Sequence, residues 1–229
     1  MNNKYDDIIA DVAVAHEFPP EFIKAIVLVE SAFNPNAVRF EPGFYKRYMP
    51  PKGTPDLSVV LQIQRSFSYG LMQIMGQVAV ERGFRHTEHE HSFGSLFNPR
   101  INLEYGCKQL VWLCEKLQRY EYLPNIELLA IAYNGGLGSA KKLKETGATH
   151  NESYGTRVVT ANGLICSQHH PLRMSYNLVE LLKKHGKQKK SEVYPIWRCD
   201  TGHARTDAEQ TRRSGDRSVS SRPSPRPVH

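Results

Sequence analysis

Apolar residues recur at spacings of three and four along most of the chain, which is the pattern of helices that each bury one face. Two such helices are predicted near the start, over residues 5–15 and 21–33. Asn98 and Pro99 give a helix start, with Asn as the cap and Pro at the first position, and predict a long helix that ends near Tyr120. The fold class is therefore predicted to be mainly α-helical.

Shorter helices and turns fill the rest of this helical region. Further helices are predicted over residues 57–65, 71–82, 126–133, 139–144 and 171–185. Residues 39–55 hold four prolines and two glycines and are predicted to form a loop, and residues 68–70 a turn. Residues 154–160 receive no assignment, and residues 165–171 are expected to interrupt the helical pattern near its end.

The composition changes near residue 187. Residues 187–229 hold ten Lys and Arg against five Asp and Glu, a net charge of +5, and are rich in Ser, Arg and Pro. Such a segment buries too little apolar surface to offset the entropy that it would lose on ordering. We therefore predict one folded domain over residues 1–186, followed by a disordered basic tail over residues 187–229.

The chain as a whole is basic, with a formal charge of +7 and a pI near 9.2. A basic surface suits nucleic acid, membrane surfaces or acidic wall polymers, and charge alone does not choose among them. No stretch reaches the roughly 18 apolar residues of a membrane span, and residues 1–20 lack the apolar core of a secretory signal. We expect a protein that is made in the cytoplasm and reaches any extracellular target by another route.

Neither the cysteines nor the histidines indicate a metal site. Cys107 and Cys114 are predicted on one helix about two turns apart, roughly 10 Å, which is too far for a disulfide and indicates reduced, buried thiols. His86, His89 and His91 match no recognised metal-site spacing, and a solvated polar loop explains them. No metal and no cofactor is therefore expected.

Glu30 is the residue with the most unusual surroundings in the sequence. It follows four apolar residues, 26–29, and lies in the last turn of a helix that is predicted to be nearly buried. Poor solvation and the negative end of the helix dipole both disfavour its charged form and raise its pKa. A carboxylic acid that stays protonated near neutral pH can donate a proton to a leaving oxygen. The alternative is a solvated glutamate at a helix end with no chemical role.

Three segments resemble the motifs of one enzyme family. Residues 30–37 (ESAFNPNA) resemble the E-S-x-x-N-P-x-A stretch of the soluble lytic transglycosylases, relatives of goose-type lysozyme. Residues 70–73 (GLMQ) and 132–136 (AYNGG) resemble two further motifs of that family, in the same order. Residues 96–103 (LFNPRINL) resemble the start of one of its helices, and the resemblance extends over about residues 5–160. It implies a single lysozyme-like helical domain.

The resemblance implies that the protein cleaves peptidoglycan glycan strands at the bond from N-acetylmuramic acid to N-acetylglucosamine. Glu30 would protonate the glycosidic oxygen and then act as the base for the muramic acid C6 hydroxyl, which would leave a 1,6-anhydro end. An internal nucleophile explains why one carboxylate suffices, whereas hydrolysis uses a second one. Two alternatives remain: a muramidase that uses water, and a noncatalytic wall-binding or virion assembly module.

The same resemblance assigns supporting roles around Glu30. Tyr133 is expected to hydrogen-bond Glu30, with a core aromatic as the alternative. Gln73 is expected to bind a sugar N-acetyl group, and Gly70 to let the backbone approach the glycan closely. Tyr154 is matched, in an imperfect register, to a late tyrosine of the family. The remaining predicted substrate-binding residues, for which core packing or helix capping is the alternative, are Ser31, Met72 and Asn134.

The chain departs from the family pattern between Ala37 and Gly70, where about thirty residues replace a short link. This insert, residues 38–67, is expected to be a lid or a glycan-binding wall. It contains Glu41, the best candidate for a second carboxylate, although a surface-loop glutamate is the alternative. Besides peptidoglycan, the expected partners are a phage virion or a secretion machine, with no requirement for nucleic acid and no membrane span.

Overall fold

The computed structural model describes residues 3–49, 57–85, 92–122 and 125–168. Within these ranges the chain forms eight α-helices, one 3₁₀ turn and three short strands. The helices are α1 Asp6–Ala15, α2 Pro20–Ser31, α3 Pro42–Tyr48, α4 Val59–Arg65, α5 Gly76–Glu81, α6 Pro99–Arg119, α7 Ile126–Thr146 and α8 Glu152–Gln168. The strands are β1 Val38–Phe40, β2 Phe67–Tyr69 and β3 Ile74–Met75, and the 3₁₀ turn is Phe93–Phe97. The mainly helical fold class is confirmed.

The apolar faces of five helices form the main core. Helix α6 packs against α1 and α7, while α8 packs against α2 and α7. The core side chains are fully buried, among them Phe22, Ile26, Leu103, Leu110 and Leu129. Burial of one such side chain stabilises the fold by about 1.5–3 kcal/mol. This packing fixes the end of α2 against α8, and that contact builds the site described below.

A small antiparallel sheet with the strand order β1–β2–β3 lies where helices or loops were predicted. Arg39 pairs with Ser68, and Ser68 pairs with Met75. The prediction of a loop over residues 39–55 is wrong for β1 and α3, and the predicted turn at 68–70 is largely strand β2. Strands of two or three residues carry too little alternation to be recognised in a sequence.

The helix predicted over residues 71–82 begins only at Gly76, and the reason lies in the backbone. Gly70 and Gln73 adopt the left-handed region, with φ of 69° and 46°. Residues with such backbone angles interrupt the regular geometry of a right-handed helix. The segment therefore runs as a turn and strand β3 before α5 starts.

Capping residues fix the ends of the long helices. Asn98 accepts hydrogen bonds from the backbone N–H of Arg100 (3.0 Å) and Ile101 (3.3 Å), as its position before Pro99 predicts.

The two helices predicted over 126–133 and 139–144 are the two halves of α7, which continues through a kink at Gly136 with φ 74° and ψ 174°.

Helix α8 runs to Gln168, so the interruption predicted from residue 165 is wrong as far as the structure describes the chain. The helix predicted over residues 171–185, the tail over 187–229 and the three histidines at 86, 89 and 91 lie outside the described residues.

Within the described residues, Cys107 and Cys114 are free thiols. Cys107 and Cys114 lie on α6, as predicted, and Cys166 lies on α8. Burial raises the pKa of Cys114 to about 12, so its thiol stays protonated and behaves as a small apolar group. Among the described helices, none combines the length and the apolar character needed to cross a bilayer.

Candidate active site

Glu30 lies in the last turn of α2, where the chain turns sharply. Ala32 and Phe33, which follow the end of the helix, both adopt left-handed backbone angles, with φ of 50° and 64°. Such angles are costly for residues other than glycine and persist only where surrounding packing enforces them. The turn leaves the Glu30 side chain at the junction of α2 with α8, rather than at a freely solvated helix end.

Burial is the main influence on the acidity of Glu30. Desolvation raises the pKa of its carboxyl group, and the nearby charge of Glu41 acts in the same direction. A hydrogen bond from Tyr154 and the positive charges of Arg39 and Arg157 oppose this rise. The net shift is upward, so the carboxyl group keeps its proton to a higher pH than an exposed glutamate does. The raised pKa predicted from the sequence is therefore supported.

Tyr154 makes the direct contact with Glu30. Its hydroxyl donates a hydrogen bond of 2.7 Å to Glu30 Oε1, and its ring is buried at 4% exposure in α8. Burial, with the neighbouring Glu30 charge, raises the pKa of Tyr154 well above its ordinary value, so the phenol remains a donor. The structure thus places the imperfectly matched late tyrosine next to the candidate acid.

The hydrogen bond predicted between Tyr133 and Glu30 is wrong. The Tyr133 hydroxyl donates instead to the backbone oxygen of Met72, at 2.8 Å. Burial and then the Glu30 charge raise the pKa of Tyr133, so the two groups still lie within electrostatic range. Sequence motifs could not rank two tyrosines on different helices, because the choice depends on how α7 and α8 pack around the end of α2.

Contacts within the protein require glycine at position 70, and its role toward a glycan stays a prediction. A Cβ atom at this position would lie 2.4 Å from Asn102 Nδ2 and 2.7 Å from the backbone oxygen of Leu96. The space where a side chain would lie is therefore occupied by the protein. Its φ of 69° is a second reason for glycine, since other residues rarely adopt this angle.

Gln73 uses its amide nitrogen inside the protein. Nε2 donates to the backbone oxygens of Ala37 and Gly70, both at 3.0 Å. These two bonds occupy both N–H groups, so only the oxygen remains for a ligand. In the predicted contact with a sugar N-acetyl group, the Gln73 oxygen can therefore only accept a hydrogen bond from the N–H of that group.

Three other predicted binding residues are engaged within the protein itself. Met72 is fully buried in the main core, which favours the core-packing alternative. The Ser31 hydroxyl lies 2.8 Å from the backbone oxygen of Leu71 and 3.2 Å from that of Val27, and it ties α2 to residues 70–73. Asn134 accepts a hydrogen bond of 2.7 Å from Asn151 Nδ2.

Asn102 is a site-building residue that the sequence analysis missed. It is fully buried on α6, and its Oδ1 accepts the backbone N–H of Met72 at 2.7 Å. Its Nδ2 donates to the backbone oxygens of Tyr69 (2.7 Å) and Leu96 (2.8 Å). One side chain thereby holds the turn at residues 70–73 in place. An asparagine between two apolar residues near a helix start was the available signal.

Glu41 lies just after β1 and is engaged by two neighbours. Its Oε1 accepts hydrogen bonds from Arg39 Nε at 2.7 Å and from the Ser68 hydroxyl at 3.0 Å. Arg39 and Ser68 are paired across the sheet and share a face. The charges of both Arg39 and Glu41 reach Glu30. Whether Glu41 serves as a second carboxylate stays a prediction.

Comparison with known proteins gives the family of the chain. Residues 7–154 match the family model of the transglycosylase SLT domain, and the chain therefore belongs to this family. Its fold is similar to the crystal structure of the 70 kDa soluble lytic transglycosylase from Escherichia coli, at 20% sequence identity and a TM-score of 0.49. That match covers 70% of this chain and 24% of the Escherichia coli protein, so the chain spans about a quarter of its length. No curated protein matches the chain.

Proposed function

We propose that the protein is a peptidoglycan lytic transglycosylase in which Glu30 is the only acid and base. The observation that carries this proposal is the Glu30 carboxyl group itself. It is desolvated at the end of α2, its pKa is raised by that burial, and one of its oxygens is held by the Tyr154 hydroxyl. Because Tyr154 donates to Oε1, the acidic proton is left to Oε2, which can donate it to a substrate.

The proposed reaction has two proton transfers on the same carboxyl group. Glu30 gives its proton to the glycosidic oxygen as the bond from muramic acid C1 breaks, and N-acetylglucosamine leaves with a free hydroxyl. The muramic acid C6 oxygen then bonds to C1, and its proton passes to the Glu30 carboxylate. Glu30 returns to its initial state, and the product is a 1,6-anhydro-muramic end, with no water consumed.

We propose that the substrate is recognised at the turn of residues 70–73, which the hydrogen bonds of Gln73 hold together. The Gln73 amide oxygen is suited to accept the N–H of an acetamido group, since its nitrogen is already bonded to the Ala37 and Gly70 oxygens. Asn102 and Ser31 fix this turn relative to Glu30 through bonds to Met72 and Leu71. An N-acetylated sugar chain would then lie with one acetamido group at Gln73 and its glycosidic bond at Glu30.

The test is digestion of purified sacculi, with mass analysis of the soluble products. The unchanged protein should release fragments with anhydro-muramic ends, and Glu30→Gln should release none while it remains folded. Glu21→Gln, at the opposite end of the same helix, is the matched control and should retain full activity. Full activity of Glu30→Gln would contradict the proposal.

A muramidase that uses water is the second candidate, and Glu41 is the observation that favours it. Its carboxylate lies within electrostatic range of Glu30 and raises the pKa of Glu30, as a paired carboxylate would. The same digest separates the two reactions, because hydrolysis gives reducing ends 18 mass units heavier than anhydro ends. Sacculi that bind the protein in a sedimentation assay but release no product would indicate a noncatalytic wall-binding module.

A further inference from the structure

Asn151 lies immediately before α8 and bonds to both halves of the kinked helix α7. Its Nδ2 donates to Asn134 Oδ1 at 2.7 Å, on one side of the kink at Gly136. Its Oδ1 accepts from the Ser139 hydroxyl at 2.8 Å, on the other side. Asn151 itself is only 9% exposed. We call this chain of Asn134, Asn151 and Ser139 the amide clamp.

The backbone of Asn151 leads directly to Tyr154. Its carbonyl oxygen accepts hydrogen bonds from the backbone N–H of Tyr154 (3.1 Å) and of Gly155 (3.2 Å), which form the first turn of α8. Tyr154 therefore lies one turn from the clamp on a continuous stretch of backbone. A rotation or shift of Asn151 would carry the Tyr154 hydroxyl with it, away from its 2.7 Å contact with Glu30.

Two glycines make the contact between α7 and α8 tight on either side of Tyr154. A Cβ atom at Gly135 would lie 2.3 Å from Asn151 Oδ1 and 2.4 Å from the Ser139 hydroxyl. A Cβ atom at Gly155 would lie 2.8 Å from Ile131 Cγ1. Neither position tolerates a side chain without displacement of its neighbours.

From this geometry we infer that Asn151 is a positioning residue, which acts through Tyr154 on the Glu30 carboxyl group. It joins the residue after Tyr133 to the backbone turn that carries Tyr154, so one side chain sets both tyrosines relative to the end of α2. The expected effect of Asn151 on catalysis rests on the proposed function, whereas its expected effect on the pKa of Glu30 does not. This role differs from that of a residue that only stabilises the fold.

A double-mutant cycle tests whether Asn151 acts through Tyr154. The four proteins are the unchanged chain, Asn151→Ala, Tyr154→Phe and the double variant, compared by the rate of sacculus digestion. Asn151→Ala alone should lower kcat by up to about 100-fold, because a displacement of about 1 Å can cause a loss of that size. In the Tyr154→Phe background the same substitution should change kcat little, because the contact that it positions is already absent. Equal losses in both backgrounds would overturn the inference.

A second readout does not depend on catalysis. NMR titration of the Glu30 side-chain carbon, in protein labelled at glutamate, measures the acidity of this one group in each of the four proteins. In the part of the chain that the structure describes, the charged and titratable groups around Glu30 are Tyr154 and Arg157 on α8, Tyr133 on α7, and Arg39 and Glu41 beside the sheet. Of these, Tyr154 is the one that Asn151 holds by backbone bonds, and its hydrogen bond favours the carboxylate.

Asn151→Ala should therefore move the titration midpoint of Glu30 upward, and should leave it unchanged in the Tyr154→Phe background. An unchanged midpoint in the single variant would overturn the inference. Asn162→Ala is the matched control, since Asn162 lies on the same helix at 7% exposure and should leave the midpoint in place. If Asn151→Ala fails to fold, Ser139→Ala removes one arm of the clamp and should shift the midpoint in the same direction.

These results separate two kinds of failure. If Glu30→Gln remains active, the proposed function fails, yet the titration still decides whether Asn151 controls the acidity of Glu30. If Glu30→Gln is inactive and the titration midpoint is the same in all four proteins, the proposed function stands and the role of Asn151 fails.

Discussion

Tyr154 and Glu30, which are 124 positions apart in the sequence, meet through a hydrogen bond of 2.7 Å in which the phenol donates to Oε1. The bond favours the charged carboxylate, whereas burial favours the neutral acid, and burial is the larger of the two influences. The site thus combines a carboxyl group that holds its proton with a hydroxyl that limits how tightly the proton is held. A group that must both give and take back a proton benefits from this balance.

The raised pKa of Glu30 predicts how stability depends on pH. The folded state binds this proton more tightly than the unfolded chain does, so the interaction contributes its full stability below the unfolded pKa. That contribution is lost as the pH rises through the folded pKa of Glu30. Glu30→Gln should therefore unfold at a higher Tm than the unchanged protein at pH 8, and the difference should disappear in mild acid. Scanning calorimetry across this range measures it, and a difference independent of pH would contradict the raised pKa.

Tyr154→Phe and Tyr133→Phe are expected to have different effects. Loss of the Tyr154 hydroxyl removes a bond to the carboxylate, so the pKa of Glu30 should rise and kcat should fall. Loss of the Tyr133 hydroxyl leaves the Met72 carbonyl without its donor, at a cost of about 1–3 kcal/mol in the free energy of unfolding. Urea denaturation and pH–rate profiles together distinguish the two variants. A larger shift of the profile in Tyr133→Phe would reverse the assignment.

Asn102→Ala should destabilise the protein more than the loss of a helix cap does. It leaves the Met72 N–H and the Tyr69 and Leu96 carbonyls buried without their partner, and one such group alone costs about 1–3 kcal/mol. Asn125→Ala removes only the cap of α7, which typically costs about 1 kcal/mol. Urea denaturation of both variants measures the difference, and equal losses would show that Asn102 is not the support of the turn at residues 70–73.

Glu41→Gln tests the second carboxylate. The substitution removes a negative charge that raises the pKa of Glu30, so the limb of the pH–rate profile that reports Glu30 should move to lower pH. If Glu41 has no part in the chemistry, the anhydro product should persist at a comparable maximal rate. Glu127→Gln, at an exposed position in the first turn of α7, is the control and should leave the profile unchanged. A complete loss of product in Glu41→Gln would instead assign Glu41 to the reaction.

The sequence predicted the helices well where short-range chemistry specifies them. Asn98 with Pro99 fixes the start of α6, and the apolar run at residues 26–29 places Glu30 at the end of a buried helix. These features depend on neighbours within one or two turns, so the order of residues determines them. The strands of the small sheet were not predicted, because pairing across the sheet determines them. The late start of α5 was not predicted either, because it depends on left-handed backbone angles at Gly70 and Gln73.

The order of residues is sufficient to specify the mainly helical class, the position of the candidate acid and the upward direction of its pKa. Packing between distant segments sets three further features: Tyr154 rather than Tyr133 holds Glu30, Asn102 supports the turn at Gly70, and Gln73 has only its oxygen left for a ligand. The physical reason is distance along the chain. A desolvated carboxyl group follows from its immediate neighbours, whereas the hydrogen bonds that orient it join helices whose relative placement depends on the packing of the whole core.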